Sequence, residues 1–480
     1  MCPLNNLYTV EELAFILKSS GAKGLVTHVT CLDVARKAAM VVGLSLERIV
    51  VIGEKDPRGE VRCYEEFFEE GEGEEGEKVM VKGEDTAFLV YSSGTTGLPK
   101  GVMLSHENIV VNILQSCEVE REMLDWRNDR LVSFLPMFHI YGMLRVFVCD
   151  LKMLKGIGLH SMLFVPLYRG LTIHIMPRFD LQQFCQTIQS HKITIAYIVP
   201  PVVLALAKSP VVDKYNLSSL RVVHSAAAPL STELIDMFYK RLRVPIKQTY
   251  GMSEASPAIS SQVESRIPFV VVTNKSQSWT DWNIYPGSVG KPLPSMSIKV
   301  ISGSSELPTG KEGEICLRGP NIFKGYYRNP AATSSSFIDG WFRSGDIGYI
   351  DADGNLFLTD RQKELIKYNG FQVAPAQLEG LLLGHEAVQD VAVIGVYSKE
   401  RATELPRAYV VLAKGYTASE ELEREICEWL GRKVAPHKKL RGGVRFIAEV
   451  PKSAAGKVLR RILVERSKNE DAETQIRPKL

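Results

Sequence analysis

From Tyr8 to about residue 180, short apolar runs such as GLVTH and AFLVYSS alternate with stretches of helical period such as SHENIVVNILQSC. A short apolar run bounded by turn residues reads as a buried strand, and helices between such strands close βα units around a largely parallel sheet. The alternation continues: ITIAYIVPP leads into a helix, RVVHSAAAP into another at STELIDMFYKRL, and IKQTYGMSE reads as a strand ending in a loop. After Gly287 the style changes to SIKVI, GEICLRG and GYIDADGNLFLTD, punctuated by Gly, Pro and Asp-Gly, as in a small barrel or antiparallel sheet. Beyond the polar run Asp360 to Glu364, the segments AVQDVAVIGVY, RAYVVLA, ELEREICEWLGRKV and VRFIAEV form a compact α/β unit of about 110 residues. The expected fold is α/β. A large N-terminal domain (1–359) of βα sheets plus a small β-barrel precedes a small C-terminal α+β domain (360–470) and a tail (471–480).

A chain of 480 residues accommodates two or three domains. Its 58 basic and 55 acidic residues leave a formal charge of +3, so no global field draws it to nucleic acid or anionic membranes. The acidic, Gly-interrupted stretch EEGEGEEGEK at 69–78 is a solvated loop. The eight cysteines are scattered without a C-x-x-C pair or zinc spacing, which reads as free thiols in a reducing compartment. The start MCPLNNLYTVEEL has no basic region followed by an apolar core, and no run of about 18 apolar residues occurs, so neither a signal peptide nor a membrane span is expected. The last residues, Pro478, Lys479 and Leu480, differ by one from a peroxisomal address; the expected location is intracellular, peroxisomal or cytoplasmic.

The strand AFLVYSS runs into Ser93-Gly94-Thr95-Thr96-Gly97-Leu98-Pro99-Lys100-Gly101, and a helix begins near Ser105, whose side chain can cap it. Glycines let backbone N–H groups approach phosphate oxygens. The hydroxyls of Ser92, Ser93, Thr95 and Thr96 add donors, and Lys100 adds charge. No Gly-Lys-Ser/Thr ends the loop, so it is not a Walker A sequence.

YSSGTTGLPKGV resembles the adenylate-forming signature shared by acyl-CoA synthetases, luciferases and peptide-synthetase adenylation domains. Further similar motifs follow in family order: LPMFHIYG, SAAAPLS, QTYGMSEASP, GEICLRGPNIFKGYY, WFRSGDIGYID, DRQKELIKYNGFQVAPAQLE and PKSAAGKVLRR. PMFHIYG and IKYNGFQVAPAQLE are most similar to the 4-coumarate:CoA ligase branch. The resemblance implies an ATP-dependent acid:CoA ligase. A carboxylate is first joined to the α-phosphate with loss of pyrophosphate, and coenzyme A then takes the acyl group as AMP leaves.

Residue by residue, the resemblance implies that Glu254 holds Mg²⁺, Ser253 binds phosphate, Tyr250 stacks on adenine, and Gln248, Thr249 and Gly251 line the nucleotide, together with Ser92 to Gly97 and Lys100. Asp346 and Arg361 would take the ribose hydroxyls, since a carboxylate accepts two hydrogen bonds from a diol. Lys457, with His139 and Glu254, is implied as catalytic: its ammonium bridges the carboxylate and the α-phosphate where charge builds. A thiol must later enter from the side Lys457 held, so the small domain is expected to turn about a hinge at Asp360. Gly370 and Phe371 would then border the pantetheine path, with Lys367, Asn369 and Arg178 near phosphates and Lys363 and Gln372 on the adenylate. Relatives commonly carry Lys at the positions of Asn369 and Arg178. The acyl pocket is implied at His139, Tyr141, Ala226, Ala227, Gly251, Pro257 and Ala258, whose small side chains suit an aromatic or a medium-chain acid.

Relative to that family the chain starts inside the large domain. The stretches MLRVFVCDLKMLKGIG (143–158) and RIPFVVVTNKSQSW (266–279), within the longer regions near 143–158 and 263–280, resemble translated intron sequence as much as lineage-specific loops. The rival expectations are a luciferase-like or carrier-loading adenylating enzyme, or a catalytically impaired truncated product. The expected partners are a small carboxylic acid, ATP and CoA.

Overall fold

The computed structural model describes residues 1–4, 6, 8–67, 80–92, 99–121, 123–134, 165–176, 179–228, 230–262, 285–361, 364–369, 371–398, 401, 403–452 and 457–476. A seven-stranded sheet forms its centre, ordered Lys291–Pro292, Ala258–Ser261, Ile246–Gly251, Val222–Ser225, Ile195–Ile198, Arg130–Ser133 and Thr172–Ile175. The five strands from Ile246–Gly251 to Thr172–Ile175 run parallel, and the other two are antiparallel. The alternation of apolar runs and helices foretells this arrangement. Ile195–Ile198 and Val222–Ser225 are buried at every position, because helices such as Pro200–Lys208 and Thr232–Leu242 accompany the sheet. Phe184, Ile195, Val203 and Phe238 pack in the resulting core.

The glycine loop departs from the expected strand-to-helix passage. Lys100–Ser105 is itself a strand, antiparallel to Thr86–Ser92 from Ser105↔Thr86 to Lys100↔Ser92, so the loop joins two strands of a hairpin. The helix His106–Val119 starts after it, capped by Ser105 in a reciprocal exchange with Asn108. The hairpin continues into Gly325–Tyr326, which pairs with Val102 and Met103.

The β-rich stretch expected as a small barrel is a six-stranded antiparallel sheet, in which Trp341–Ile350 pairs with Gly313–Arg318, Phe337–Ile338 and Leu356–Arg361. One apolar cluster, including Leu104, Tyr250, Ile315 and Tyr326, fuses this sheet, the hairpin and the edge of the central sheet. Towards the C-terminus a sheet of Val388–Ser398, Thr403–Leu412 and Val444–Phe446 packs against helices Pro375–Leu382 and Glu420–Gly431 around its own core. The closing helix Arg460–Ile476 runs past residue 470, where the tail was expected to begin. Near the N-terminus, helices Val10–Ser20 and Leu32–Val42 pack on a three-stranded parallel sheet.

Among the described residues the cysteines are free thiols, and no helix is long and apolar enough to cross a membrane.

Candidate active site

The strand Ile246–Gly251 ends at the edge of the central sheet with Tyr250 buried. At this edge the register against Ala258–Ser261 shifts between Tyr250 and Gly251, so the chain turns sharply. Any side chain at Gly251 would stand 2.5 Å from the carbonyl oxygen of Pro257, and the glycine permits the close return. The Tyr250 hydroxyl donates to Asp346 Oδ2 at 2.5 Å, and Arg361 Nε lies 3.2 Å from Asp346 Oδ1. Asp346 and Arg361 face each other because they are register partners in neighbouring strands. Burial pushes the Asp346 carboxyl up while Arg361 pulls it down, and burial followed by Asp346 holds the Tyr250 hydroxyl well above its usual range.

Lys457 reaches the same place from the C-terminal unit. An isolated antiparallel bridge pairs Lys452 with Val458, and Lys457 Nζ lies 3.7 Å from Glu364 Oε1. Burial and then Arg361 draw its ammonium below the usual lysine range, and Glu364 and Asp346 oppose them. Tyr250 and Arg361 thus bind the Asp346 carboxylate directly, and the Lys457 ammonium, paired with Glu364, acts on it through its charge.

A second group surrounds Glu254. The Tyr326 hydroxyl donates to Glu254 Oε1 at 3.0 Å, the Phe323 N–H donates to the Glu254 carbonyl at 2.8 Å, and Lys100 Nζ stands 5.0 Å above the Tyr326 ring. Because Tyr326 is paired beside Val102, the strand leaving the glycine loop and the glutamate are held together. Burial raises the Glu254 carboxyl, and the Tyr326 hydrogen bond works against it. Ser253 lies in the same short turn, Ser253–Ala255. Among the described residues no three metal-ligating side chains cluster. The buried Glu254 carboxylate is the kind of hard oxygen donor that suits a magnesium ion.

Gln248 lies within the sheet, its side-chain amide donating to the Ser288 carbonyl at 3.1 Å. Thr249 and Ala258 instead face a cavity shared with Ser116, Glu120, Tyr197 and Ser261. Ala226 and Ala227 follow the strand Val222–Ser225, with Ala226 buried and Ala227 at φ 75°. Lys367, Asn369 and Phe371 sit on a small hairpin: the backbone N–H groups of Lys367 and Asn369 donate to Glu404 and Thr403, and the Phe371 ring stacks on His437 at 4.6 Å. Ser93, Gly94, Thr95, Thr96, Gly97, His139, Tyr141, Arg178, Lys363, Gly370 and the segments 143–158 and 263–280 lie outside the described residues, as do the side chains of Ser92 and Gln372 and the final Pro-Lys-Leu.

Four neighbours escaped the sequence reading. Tyr326, Glu364 and Arg460 stand inside quoted motifs, yet only the fold shows whom they touch. Glu120 reads as a helix-end surface charge but is buried, accepting a hydrogen bond from the Tyr197 hydroxyl at 3.2 Å, with Lys247 Nζ at 3.8 Å and His224 Nδ1 at 3.5 Å. Burial raises the Glu120 carboxyl against the pull of Lys247, and burial then Lys247 lower the His224 imidazole.

Asp360 is buried where the antiparallel sheet ends, accepting from the Ala376 N–H at 3.2 Å. Burial, the largest influence, pushes its carboxyl up to about 6. A carboxyl raised in the folded state contributes stability below its unfolded value of about 3.9, and that contribution is lost as pH rises through about 6. Asp360→Asn stays neutral but can accept only one of the backbone N–H groups of Arg361 and Ala376 that the carboxylate takes. It is therefore expected to gain about 1 to 3 kcal/mol on the native chain as pH rises from about 4 to 7. Melting temperature against pH checks it, and a gain of the variant on acidification contradicts the sign.

The AMP-binding enzyme family model matches residues 1–327, and the AMP-binding enzyme C-terminal domain model matches 377–457. A 4-coumarate:CoA ligase of Petunia hybrida is 38% identical over 467 residues, covering 96% of this chain and 78% of the relative. The Dictyostelium discoideum protein named "Probable 4-coumarate--CoA ligase 1" is 42% identical over 384 residues, 79% of this chain, and the match spans 63% of that protein's length. Among solved structures, the anthranilate CoA ligase AuaEII in complex with anthranoyl-AMP superposes with a TM-score of 0.81 at 26% identity, covering 98% of this chain and 83% of the other. ATP-bound MatB from Rhodopseudomonas palustris gives 0.76 at 28% identity over 97% and 83%. With both family models matched in order along the chain, and Tyr250, Asp346 and Arg361 joined in one buried cluster, the chain belongs to the AMP-binding enzyme family.

Proposed function

We propose that this chain is an acid:CoA ligase that consumes ATP to AMP and pyrophosphate, acting on an aromatic, 4-coumarate-like or medium-chain acid. The observation that carries the reading is the joining of Tyr250, Asp346 and Arg361 in one buried cluster, with Lys457 paired to Glu364, whose N–H donates to the Arg361 carbonyl. In the first step a carboxylate oxygen bonds to the α-phosphorus and the bond to pyrophosphate breaks. Asp346 accepts from the ribose hydroxyls, Arg361 holds Asp346 in place, and the Lys457 ammonium offsets charge between the two approaching anions. Glu254 would hold Mg²⁺, which when bound neutralises part of the triphosphate charge; Tyr326 orients that carboxylate, and Lys100, over the Tyr326 ring, would face the phosphates. In the second step the thiol sulfur bonds to the acyl carbon and AMP leaves. Lys457 must first withdraw, and a turn about Asp360 would bring Gly370 and Phe371 to the pantetheine path, with Asn369 and Arg178 near phosphates. The acid would enter beside Ala226, Ala227, Pro257 and Ala258, and the terminal Pro-Lys-Leu would act as a peroxisomal address. The relatives named 4-coumarate:CoA ligase and the structural neighbour holding anthranoyl-AMP favour an aromatic acid.

Incubation with ATP, Mg²⁺, CoA and a panel of acids is expected to yield AMP and pyrophosphate. Removing Mg²⁺, or replacing Glu254 by Gln, is expected to suppress acid-dependent ATP–pyrophosphate exchange. ADP as the nucleotide product, or undiminished exchange in Glu254→Gln, would refute the corresponding assignment.

A further inference from the structure

Lys457 carries its charge in difficult company. Arg361 and Arg460 both repel it, and two-thirds of its side chain is withdrawn from water. Left to these influences, the ammonium would gain by swinging outward to solvent. Glu364 stands on the other side, its Oε1 3.7 Å from Lys457 Nζ and its Oε2 3.1 Å from Arg460 NH1. Arg460 is also bound at two points to Glu379, at 2.8 and 2.9 Å, and donates to the Val393 carbonyl at 3.3 Å. The charges therefore alternate from the core of the C-terminal unit to the active site: Glu379, Arg460, Glu364, Lys457. Arg460 is already anchored by Glu379, so Glu364 is not required as its sole counter-charge.

Backbone geometry points the same way. The Glu364 N–H donates to the Arg361 carbonyl at 2.9 Å, so one turn carries both the arginine that grips Asp346 and the carboxylate that grips the lysine.

We propose that Glu364 is the positioning residue for Lys457, holding its ammonium in register with the Asp346–Arg361 pair during adenylation. This rests on Lys457 being the adenylation lysine. Fixing a charged group before reaction removes the cost of ordering it in the transition state. Because Glu364 and Lys457 belong to the same C-terminal unit, the pair can travel together when that unit turns, so Glu364 has no comparable task in thioester formation.

The test uses the full chain and follows each half-reaction separately. Glu364→Gln keeps the shape and removes the charge. ATP–pyrophosphate exchange at saturating acid and ATP is expected to slow roughly tenfold, with KM for ATP and thioester formation from a supplied acyl-adenylate each within about twofold of the native chain. Among the described residues, the charged groups that act on Lys457 include Asp346, Arg361, Glu364 and Arg460. Since Glu364 favours the ammonium, its loss should move the alkaline limb of the exchange profile to lower pH, and Glu364→Asp should restore part of the rate. A purely structural role would not shift that limb. Unchanged exchange, an unmoved alkaline limb, or equal slowing of both half-reactions overturns the proposal. Lys457→Ala is run in parallel. If it leaves exchange intact, the reading of Lys457 itself fails; if it abolishes exchange while Glu364→Gln does not slow it, only the role of Glu364 falls.

Discussion

Replacing Lys457 by alanine is expected to slow acyl-adenylate formation by about 10² to 10³, roughly 3 to 4 kcal/mol in the barrier, while thioester formation from a supplied adenylate proceeds near its native rate. The asymmetry follows from where charge develops. A carboxylate and a triphosphate repel each other until a donor stands between them, and on the proposed reading Lys457 is that donor. Burial and the neighbouring guanidiniums make a mobile replacement cation a poor substitute, because the site has already borne the cost of holding an ammonium there. In the proposed second half-reaction the thiol takes the approach that the lysine filled, so removing the lysine is expected to cost nothing comparable. The check is pyrophosphate exchange against single-turnover thioesterification of the same variant. Equal slowing of both steps would contradict the proposed turn about Asp360.

Arg460→Met is expected to weaken the C-terminal unit by about 3 to 5 kcal/mol, because it leaves the Glu379 carboxylate buried without its partner. Only 14% of that side chain is exposed, and both its oxygens accept from the Arg460 guanidinium. Burial already raises the Glu379 carboxyl and Arg460 opposes that rise, so deleting the arginine raises it further. Only the charged form suffers from the loss. The destabilisation should therefore be greatest at neutral and alkaline pH and should shrink on acidification, as Glu379 protonates. Hydrogen exchange in Val388–Ser398, which receives the Arg460 and Glu379 contacts through Val393, reports on this unit directly. The double variant Arg460→Met with Glu379→Leu should recover much of the protection, since an apolar pair needs no counter-charge. Unaltered exchange in Arg460→Met would show that the pair is already solvated.

Much of the architecture was legible because its causes are local. Ser105 caps the helix that its position implies, accepting from the Asn108 N–H in the first turn. Runs such as IAYI and VVHS are buried at every position, as strands covered on both faces must be. The glycine loop misled in one respect. Its composition announces a close approach of backbone to a ligand, but composition does not orient the chain that follows. Lys100–Ser105 turned back as an antiparallel strand because the edge of Thr86–Ser92 was open to pair with it.

The sequence by itself determined the order of strands and helices and the residue types at the site, since periodicity, caps and motif strings are properties of near neighbours. Only the tertiary structure decided which charges meet. Tyr250 finds Asp346 across 96 residues, and Tyr326 finds Glu254 across 72. A tyrosine in a motif or a glutamate at a helix end looks the same whether it faces water or a partner. Glu120, Glu364 and Arg460 acquire their meaning from burial, which strips away water and makes each charge depend on the opposite charges the fold places around it.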